Sequence, residues 1–442
     1  MRLDEAFSDS GFFWLPEDKD QSCQVPGTLS VSEAGRVTLE TFGYWSKDPL
    51  SLANGVAFFS DSKLTRIFGY TPELGNVTLA GAVVTQNSIP SRTDGWVFNR
   101  SSFVANSLLT GGHFNEGEPL FDRLTCRIEG LHEWLGVSGS TTEMDKTAYP
   151  HLPFQASDAV KGEFGIRPTW SLVDTSDTFR DLNTYDAYVK ISTSKAWNVN
   201  NMLQRAYCMR DFVALGTGSP VAITGLVGWL PADGQEHSIE DFTQNRVGIF
   251  CESKQQSSKS NTKLLPQFMT FTHKDIGSRS IKKWFDLCLD GRSTGGQAVE
   301  LFCDVLYGDD ILPADIRMFK AAESLKLMYA LSLKNVEYKR IDLYDAVKCL
   351  ASKSSGILEI RGDEEEFAGR VTATRNLWVH RKSDDRPERR AQECEGVDLY
   401  WLLKRCEALL FCCLTAHVLG SKEEAIRVLR DAKPIKDRVR SA

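Results

Sequence analysis

The chain has 442 residues, 42% hydrophobic and 25% charged, ordinary globular usage that excludes disordered, collagen-like and low-complexity classes and leaves room for two or three cored domains. Its 52 Lys and Arg against 59 Asp and Glu give a formal charge of −7, which excludes a wholly basic surface that coats nucleic acid or anionic membrane. The charge is uneven: residues 276–442 hold 29 basic and 27 acidic side chains, net +2, and residues 1–275 are net −9, so a polyanion should prefer the C-terminal part.

Residues 1–10 are acidic early and lack an apolar run, so no signal peptide is expected. Short strand-like runs fill the first 250 residues or so. Val25–Val31 and Arg36–Glu40 flank a turn with Gly35 and predict a hairpin. Gly55–Phe59, Val77–Val84, Gly95–Val97, Leu120–Glu129, Tyr185–Ile191, Val221–Leu226 and Arg246–Cys251 are further strand candidates. That density, with few helical patterns, predicts a mainly antiparallel β domain. Glu252–Lys263 is polar and Ser-rich and predicts a long loop, because Gln267–Thr272 is again strand-like.

From Ser278 the apolar residues recur at three- and four-residue intervals. Ser280–Leu289 and Gly296–Tyr307 predict helices, and Ala314–Leu350 predicts a helical hairpin or one long helix. Asp363 followed by Glu364, Glu365 and Glu366 marks a helix start, with an Asp cap and acids at the positive end of the dipole, running to about His380 or Lys382. Val397–Leu419 is a strongly apolar helix ended by Gly420, and Ser421–Glu424 predicts a capping box for a last short helix. The fold class expected is α+β: an N-terminal mainly antiparallel β domain over residues 1–275, then an all-α bundle over 276–442.

The longest apolar stretch, Ala408–Leu419, is about twelve residues against the roughly 20 that span a bilayer. The 11 cysteines are scattered with no C-x-x-C pair, which points to neither a disulfide framework nor a zinc knuckle. A reduced, cytoplasmic protein without membrane association, metal site or cofactor is expected.

Chemistry could reside in Arg375-Asn376-Leu377-Trp378-Val379-His380, an Arg and a His separated by four residues in the second half of a capped helix. The bare spacing is common by chance, and Arg127-Ile-Glu-Gly-Leu-His132 has it too. That second pair falls in the β-rich part around a strand end. The first sits in the bundle, with Arg381, Lys382, Arg386, Arg389 and Arg390 after it. At about 100° per residue, Asn376 and His380 share a helix face, whereas Arg375 lies about 140° from His380. Either the helix ends near His380, or two copies pool their residues across a two-fold axis, the arrangement favoured here.

Such a cleft suits metal-free cleavage of RNA. A histidine near neutral pKa can take the proton of a ribose 2′-OH or return one to the leaving 5′ oxygen, and an always-charged arginine can hold the phosphorane oxygens. Asn376 would orient the imidazole or bind phosphate, and Arg381–Arg390 would guide the strand. The alternative is structural: Arg and His near a helix C-terminus satisfy its last carbonyls, and Arg381–Arg390, with Asp384, Asp385 and Glu388 interspersed, is then a solvated loop. Leu215–Pro220 is glycine-rich but is not followed by Lys-Ser/Thr, and Asp309-Asp310 precedes a Pro and suits a loop or cap, so neither is taken as a site.

The Arg-Asn-x-x-x-His stretch resembles the signature of the HEPN ribonucleases, Arg-x(4 to 6)-His with a polar residue after the arginine. In the N-terminal part, Gly11-Phe-Phe-Trp-Leu-Pro16, Val25-Pro-Gly-Thr-Leu29, Phe68-Gly-Tyr70, Gly75-Asn-Val-Thr-Leu79, Phe121-Asp-Arg-Leu124 and Gly130-Leu-His-Glu-Trp-Leu-Gly136 resemble the N-terminal domain of the Apea-like HEPN proteins of bacterial abortive infection. The resemblance implies that Arg375, Asn376 and His380 are the catalytic set and that His132 lies in a structural stretch. It further implies a HEPN homodimer or larger homo-oligomer with a composite site, and metal-independent cleavage of RNA, tRNA among the candidates, leaving a cyclic phosphate and a 5′-hydroxyl. The β domain would then hold the toxin silent until a phage-derived trigger arrives. Its seven tryptophans, Trp14 to Trp229, are expected in core and rim packing. Two other readings stand: a non-catalytic adaptor that binds RNA or a nucleotide, or only dimerises; and a β domain that itself binds a carbohydrate or phage protein, with the bundle as scaffold.

Overall fold

The structure, a computed structural model, describes residues 3, 5–43, 45, 65–88, 100–115, 121–136, 152–157, 159–173, 180–231, 245–252, 264–309, 311–333, 338–358, 364–380 and 390–439. The expected strands Gly55–Phe59 and Gly95–Val97, and most of the loop Glu252–Lys263, lie outside them. The chain divides into one unit of residues 1–127, 189–206 and 223–254 and a second of 128–188, 207–222 and 255–442.

The first unit is built on antiparallel strands. β1 (Phe7–Trp14), β2 (Val25–Val31), β3 (Val37–Phe42), β4 (Thr65–Thr71), β5 (Gly75–Ser88) and β6 (Arg100–Thr110) pair in the order β3-β2-β1-β4-β5-β6. β3 then pairs with β6, Leu39 opposite Phe103, so the six strands close on themselves. Closure removes the free sheet edges that would otherwise invite another chain. Alternate residues point inward, and Phe13, Leu29, Leu39, Ile67, Leu79 and Phe103 form the buried core. The β2–β3 turn places Gly35 at a φ of +77°, where a Cβ would sit 2.3 Å from the carbonyl oxygen of Cys251. Only glycine meets both demands.

β6 serves two partners on one edge: residues 100–105 pair with β3, and Ser107–Leu109 pair with β12 (Arg246–Cys251). β11 (Ile223–Trp229) continues the sheet beside β12, and β7 (Phe121–Ile128) pairs with residues 189–197 of β10 (Arg180–Trp197).

In the second unit, α1 (Leu131–Trp134) is a single turn whose Trp134 is fully buried among Phe164, Phe212 and His273. β8 (Leu152–Ser157) and β9 (Val160–Val173) form a hairpin. α2 (Val199–Thr217), with residues 199–206 in the first unit and 207–217 in the second, is a 19-residue helix, contrary to the expectation of few helices in this part. Met202, Ala206, Met209, Phe212, Val213, Ala214 and Leu215 are buried, and so broad an apolar surface leaves no amphipathic period to read. Gln267–Thr272 is not a strand: Pro266–Phe268 and His273–Asp275 are 3-10 turns, the first with Pro at its start, the second with a Thr272–Asp275 capping box.

The remaining helices among the described residues are α3 (Ser278–Cys288), α4 (Thr294–Tyr307), α5 (Ala314–Ser332), α6 (Leu343–Lys353), α7 (Glu364–His380), α8 (Gly396–Leu419), α9 (Lys422–Leu429) and α10 (Lys433–Val439). The fold is therefore α+β, an antiparallel β region followed by helices. Ala314–Leu350 is two helices, the second capped by Asp342, whose carboxylate accepts from the N–H groups of Tyr344 and Asp345. α5 is the hub, packed on α4, α6, α7 and α8. α8 is apolar nearly all round and ends at Gly420, φ +78°. Ser421 caps α9 through Glu424 N–H, but it is Glu423 that takes the Ser421 hydroxyl. Among the described residues no helix is long and apolar enough to cross a membrane.

Candidate functional site

α7 begins with Glu364, Glu365 and Glu366 at the positive end of its dipole; the expected cap, Asp363, lies outside the described residues. Arg375 and Asn376 are in its second half and His380 is its last residue. Arg375 reaches across to α5, donating from Nη2 to Glu323 Oε1 at 2.7 Å and from Nε to the same oxygen at 3.2 Å. Its Nη1 donates to Asn376 Oδ1 at 3.1 Å. The guanidinium also lies 5.6 Å from the centroid of Phe319, four residues before Glu323 on the same face of α5.

A second element closes the cluster. Tyr338, on the 3-10 turn Tyr338–Arg340, donates its hydroxyl to Glu323 Oε2. Burial, and then the Glu323 carboxylate that accepts the proton and repels the phenolate, push the Tyr338 pKa up, so it is a donor at neutral pH. Lys326 Nζ stands 4.5 Å from the Tyr338 ring centroid. Glu323 therefore holds Arg375 on one oxygen and Tyr338 on the other. Arg375 is 24% exposed, and the three bonds above leave two of its five N–H donors unused.

The structure thus brings Arg375 and Asn376 into direct contact and adds Glu323, Tyr338 and Phe319, which no reading of spacing could supply. His380 follows Asn376 by one helical turn on the backbone. Of the expected RNA-guiding residues, Arg381, Lys382, Arg386 and Arg389 lie outside the described residues, and Arg390 is exposed. The segment that follows is tied back to α7: Cys394 N–H donates to the buried Thr374 Oγ1 at 3.0 Å, and Arg370 Nε to Cys394 Sγ at 3.3 Å.

The competing motif is accounted for otherwise. Arg127 is the penultimate residue of β7 and His132 lies in α1. Around His132, Leu131, Trp134 and Leu135 are buried, which makes that stretch a core element. Asp309 is an ion-pair partner of Arg317 and Lys404; Asp310 lies outside the described residues. Leu215–Pro220 is the C-terminal end of α2, where Gly218, φ +73°, donates its N–H to Ala214 O at 2.9 Å.

The chain is an α+β protein in which a closed antiparallel sheet precedes a helical bundle carrying an Arg–Asn–Glu cluster. Residues 10–284 match the family ApeA N-terminal domain 1, and the chain belongs to that family. An ApeA-type domain indicates a protein of anti-phage defence. No curated protein and no solved structure matches the chain.

Proposed function

We propose that this chain is an anti-phage abortive-infection effector whose helical part is a HEPN-type endoribonuclease, active on RNA, tRNA among the candidate substrates, without a metal. In this reading neutral His380 removes the proton of a ribose 2′-OH as the 2′ oxygen attacks phosphorus. The resulting imidazolium gives a proton to the departing 5′ oxygen, leaving a 2′,3′-cyclic phosphate and a 5′-hydroxyl. Arg375 holds the charge that grows on the non-bridging oxygens, with donors fixed in a planar fork. Asn376 supports Arg375 and presents its amide N–H groups to phosphate. Two copies in a cytoplasmic homodimer, or a larger homo-oligomer, contribute to one cleft, with a phage-derived trigger acting through the β region.

The observation that carries the reading is the fixed setting of Arg375. An arginine held by Glu323 and Asn376 with two N–H donors unused is oriented before substrate arrives, which lowers the reorganisation needed in the transition state. The same Glu323 favours a second reading, in which the cluster is an interhelical clamp and the chain is a non-catalytic RNA- or nucleotide-binding adaptor, because the carboxylate already neutralises the guanidinium.

Incubating total cellular RNA with wild-type protein, His380→Ala and Arg375→Ala separates the two. The nuclease reading expects cutting to fall at least a hundredfold in both variants while each stays folded. RNA binding without cleavage in all three would leave the adaptor.

A further inference from the structure

We infer that the second unit holds a separate binding site for a mononucleotide, a phosphate group attached to an aromatic base, in the cavity between the C-terminal end of α2 and helices α8 and α10. The cavity measures about 420 Å³, within the roughly 300–1,000 Å³ of small-ligand sites. It is independent of the Arg375 cluster and of the nuclease reading, since none of Glu323, Tyr338, Arg375 or Asn376 lines it.

Two kinds of side chain converge there. Tyr400, Trp401 and Phe268 are the aromatic part of the lining. Tyr400 and Phe268 are each 42% exposed, a solvent-facing pair of rings at a cavity rather than in a core, which suits stacking on a flat base. Lys404, Lys433 and Arg438 are the cationic part, against Glu129 and Asp437. The cations are interleaved with the rings: Lys433 Nζ lies 4.1 Å from the Phe268 centroid and Lys404 Nζ 5.5 Å from that of Tyr400. A ligand with a base over the rings would carry its phosphate among the ammonium groups.

The cationic part is preorganised. Arg438 donates from Nη1 to Pro434 O at 2.8 Å, from Nη2 to Gly218 O at 3.0 Å and from Nε to Glu407 Oε2 at 3.2 Å. Lys404 is tied to both oxygens of Glu407 at 3.1 Å. Among the described residues, Arg317, Lys404 and Arg438 pair with Glu407 and Asp309. Lys433 has no carboxylate in ion-pair range among the described residues. With Lys433, Glu129 and Asp437 counted, four cations meet four carboxylates, and the Lys433 ammonium, outside ion-pair range of a carboxylate among the described residues, is the group a phosphate would engage through a charge-assisted hydrogen bond. Gly218 fixes the opposite wall: a Cβ there would meet Pro434 and Thr270 at 2.6 Å.

The test is calorimetric titration of the full chain with adenosine and guanosine 5′-monophosphate, adenosine, inorganic phosphate and a 5′-phosphorylated RNA hexamer. One mononucleotide per chain should bind at least tenfold more tightly than adenosine or inorganic phosphate. Lys433→Glu should weaken it at least tenfold and Tyr400→Ala at least fivefold; both positions are exposed, so the variants should keep the wild-type melting temperature within a few degrees. His380→Ala should bind as wild type. Absence of mononucleotide binding, preference for the hexamer, or binding unmoved by both variants would overturn the assignment.

Discussion

At the residue scale, two carboxylates organise the helical part. Glu407 is 2% exposed and receives Arg317, itself 4% exposed, together with Lys404 and Arg438. Truncating one partner of a buried ion pair strands the other charge, so Glu407→Ala should cost about 3–5 kcal/mol in urea unfolding. Asp309 is subject to opposed effects: burial pushes its carboxyl up, and Lys404 and Arg317 overcome that and hold it below the usual range. Its stabilisation is therefore present above the unfolded carboxylate pKa of about 3.9 and is lost as pH falls through the lower folded value. Asp309→Asn should lower stability near neutrality and flatten the acid limb, so that the wild-type and variant curves converge below about pH 4. Glu323 is the second organiser. Under the nuclease reading Glu323→Gln keeps an oxygen for Arg375 but removes the competing charge, so KM for RNA should fall several-fold; an unchanged KM would make Glu323 a purely structural tie. Spacing singles out Arg375 and His380 for the proposed site because it is short and local. Glu323 was not legible, because an acid 52 positions upstream has no mark distinguishing it from its neighbours until α5 and α7 pack.

At the element scale, legibility followed the periodicity of burial. β2 coincides with the expected Val25–Val31, where inward and outward residues alternate, and β12 with Arg246–Cys251, a short apolar run buried throughout its second half. α2 escaped because its apolar residues occupy most of its circumference. Gln267–Thr272 misled in the opposite way: its residues look strand-like, but Met269, Thr270 and Phe271 are buried consecutively, and Pro266 begins a 3-10 turn. Of the caps, Ser421 was legible beside its helix, whereas Asp342 was not, because Ala314–Leu350 carries helical spacing throughout. Asp342 accepts from two backbone N–H groups, so Asp342→Ala should destabilise α6 by about 1 kcal/mol, seen as a lower urea midpoint at unchanged slope.

For the molecule as a whole, the property least visible in the sequence is closure of the first sheet. β2, β3 and β5 were found from their own residues and β1, β4 and β6 were not, and the β3–β6 pairing joins chain segments about sixty positions apart and depends on register. Phe103 lies opposite both Leu39 and Val84 and packs 5.6 Å from Trp45. Phe103→Ala should cost about 3–5 kcal/mol, and hydrogen exchange should show lost protection across β3, β5 and β6 together. Loss confined to β6 would mean that the strands do not behave as one closed unit. The family match over residues 10–284 takes in these strands and ends within α3, so the Arg375 cluster is outside it. The assignment to phage defence and the proposed chemistry therefore rest on different parts of the chain.

The central claim is metal-free cleavage of RNA, and end-group analysis of the products tests it most directly. Purified protein is incubated with total RNA and tRNA in excess EDTA, and the new termini are identified. The account predicts cleavage that persists in chelator and leaves a 2′,3′-cyclic phosphate and a 5′-hydroxyl. A cut that requires a divalent ion, or one that leaves a 5′-phosphate, would contradict it.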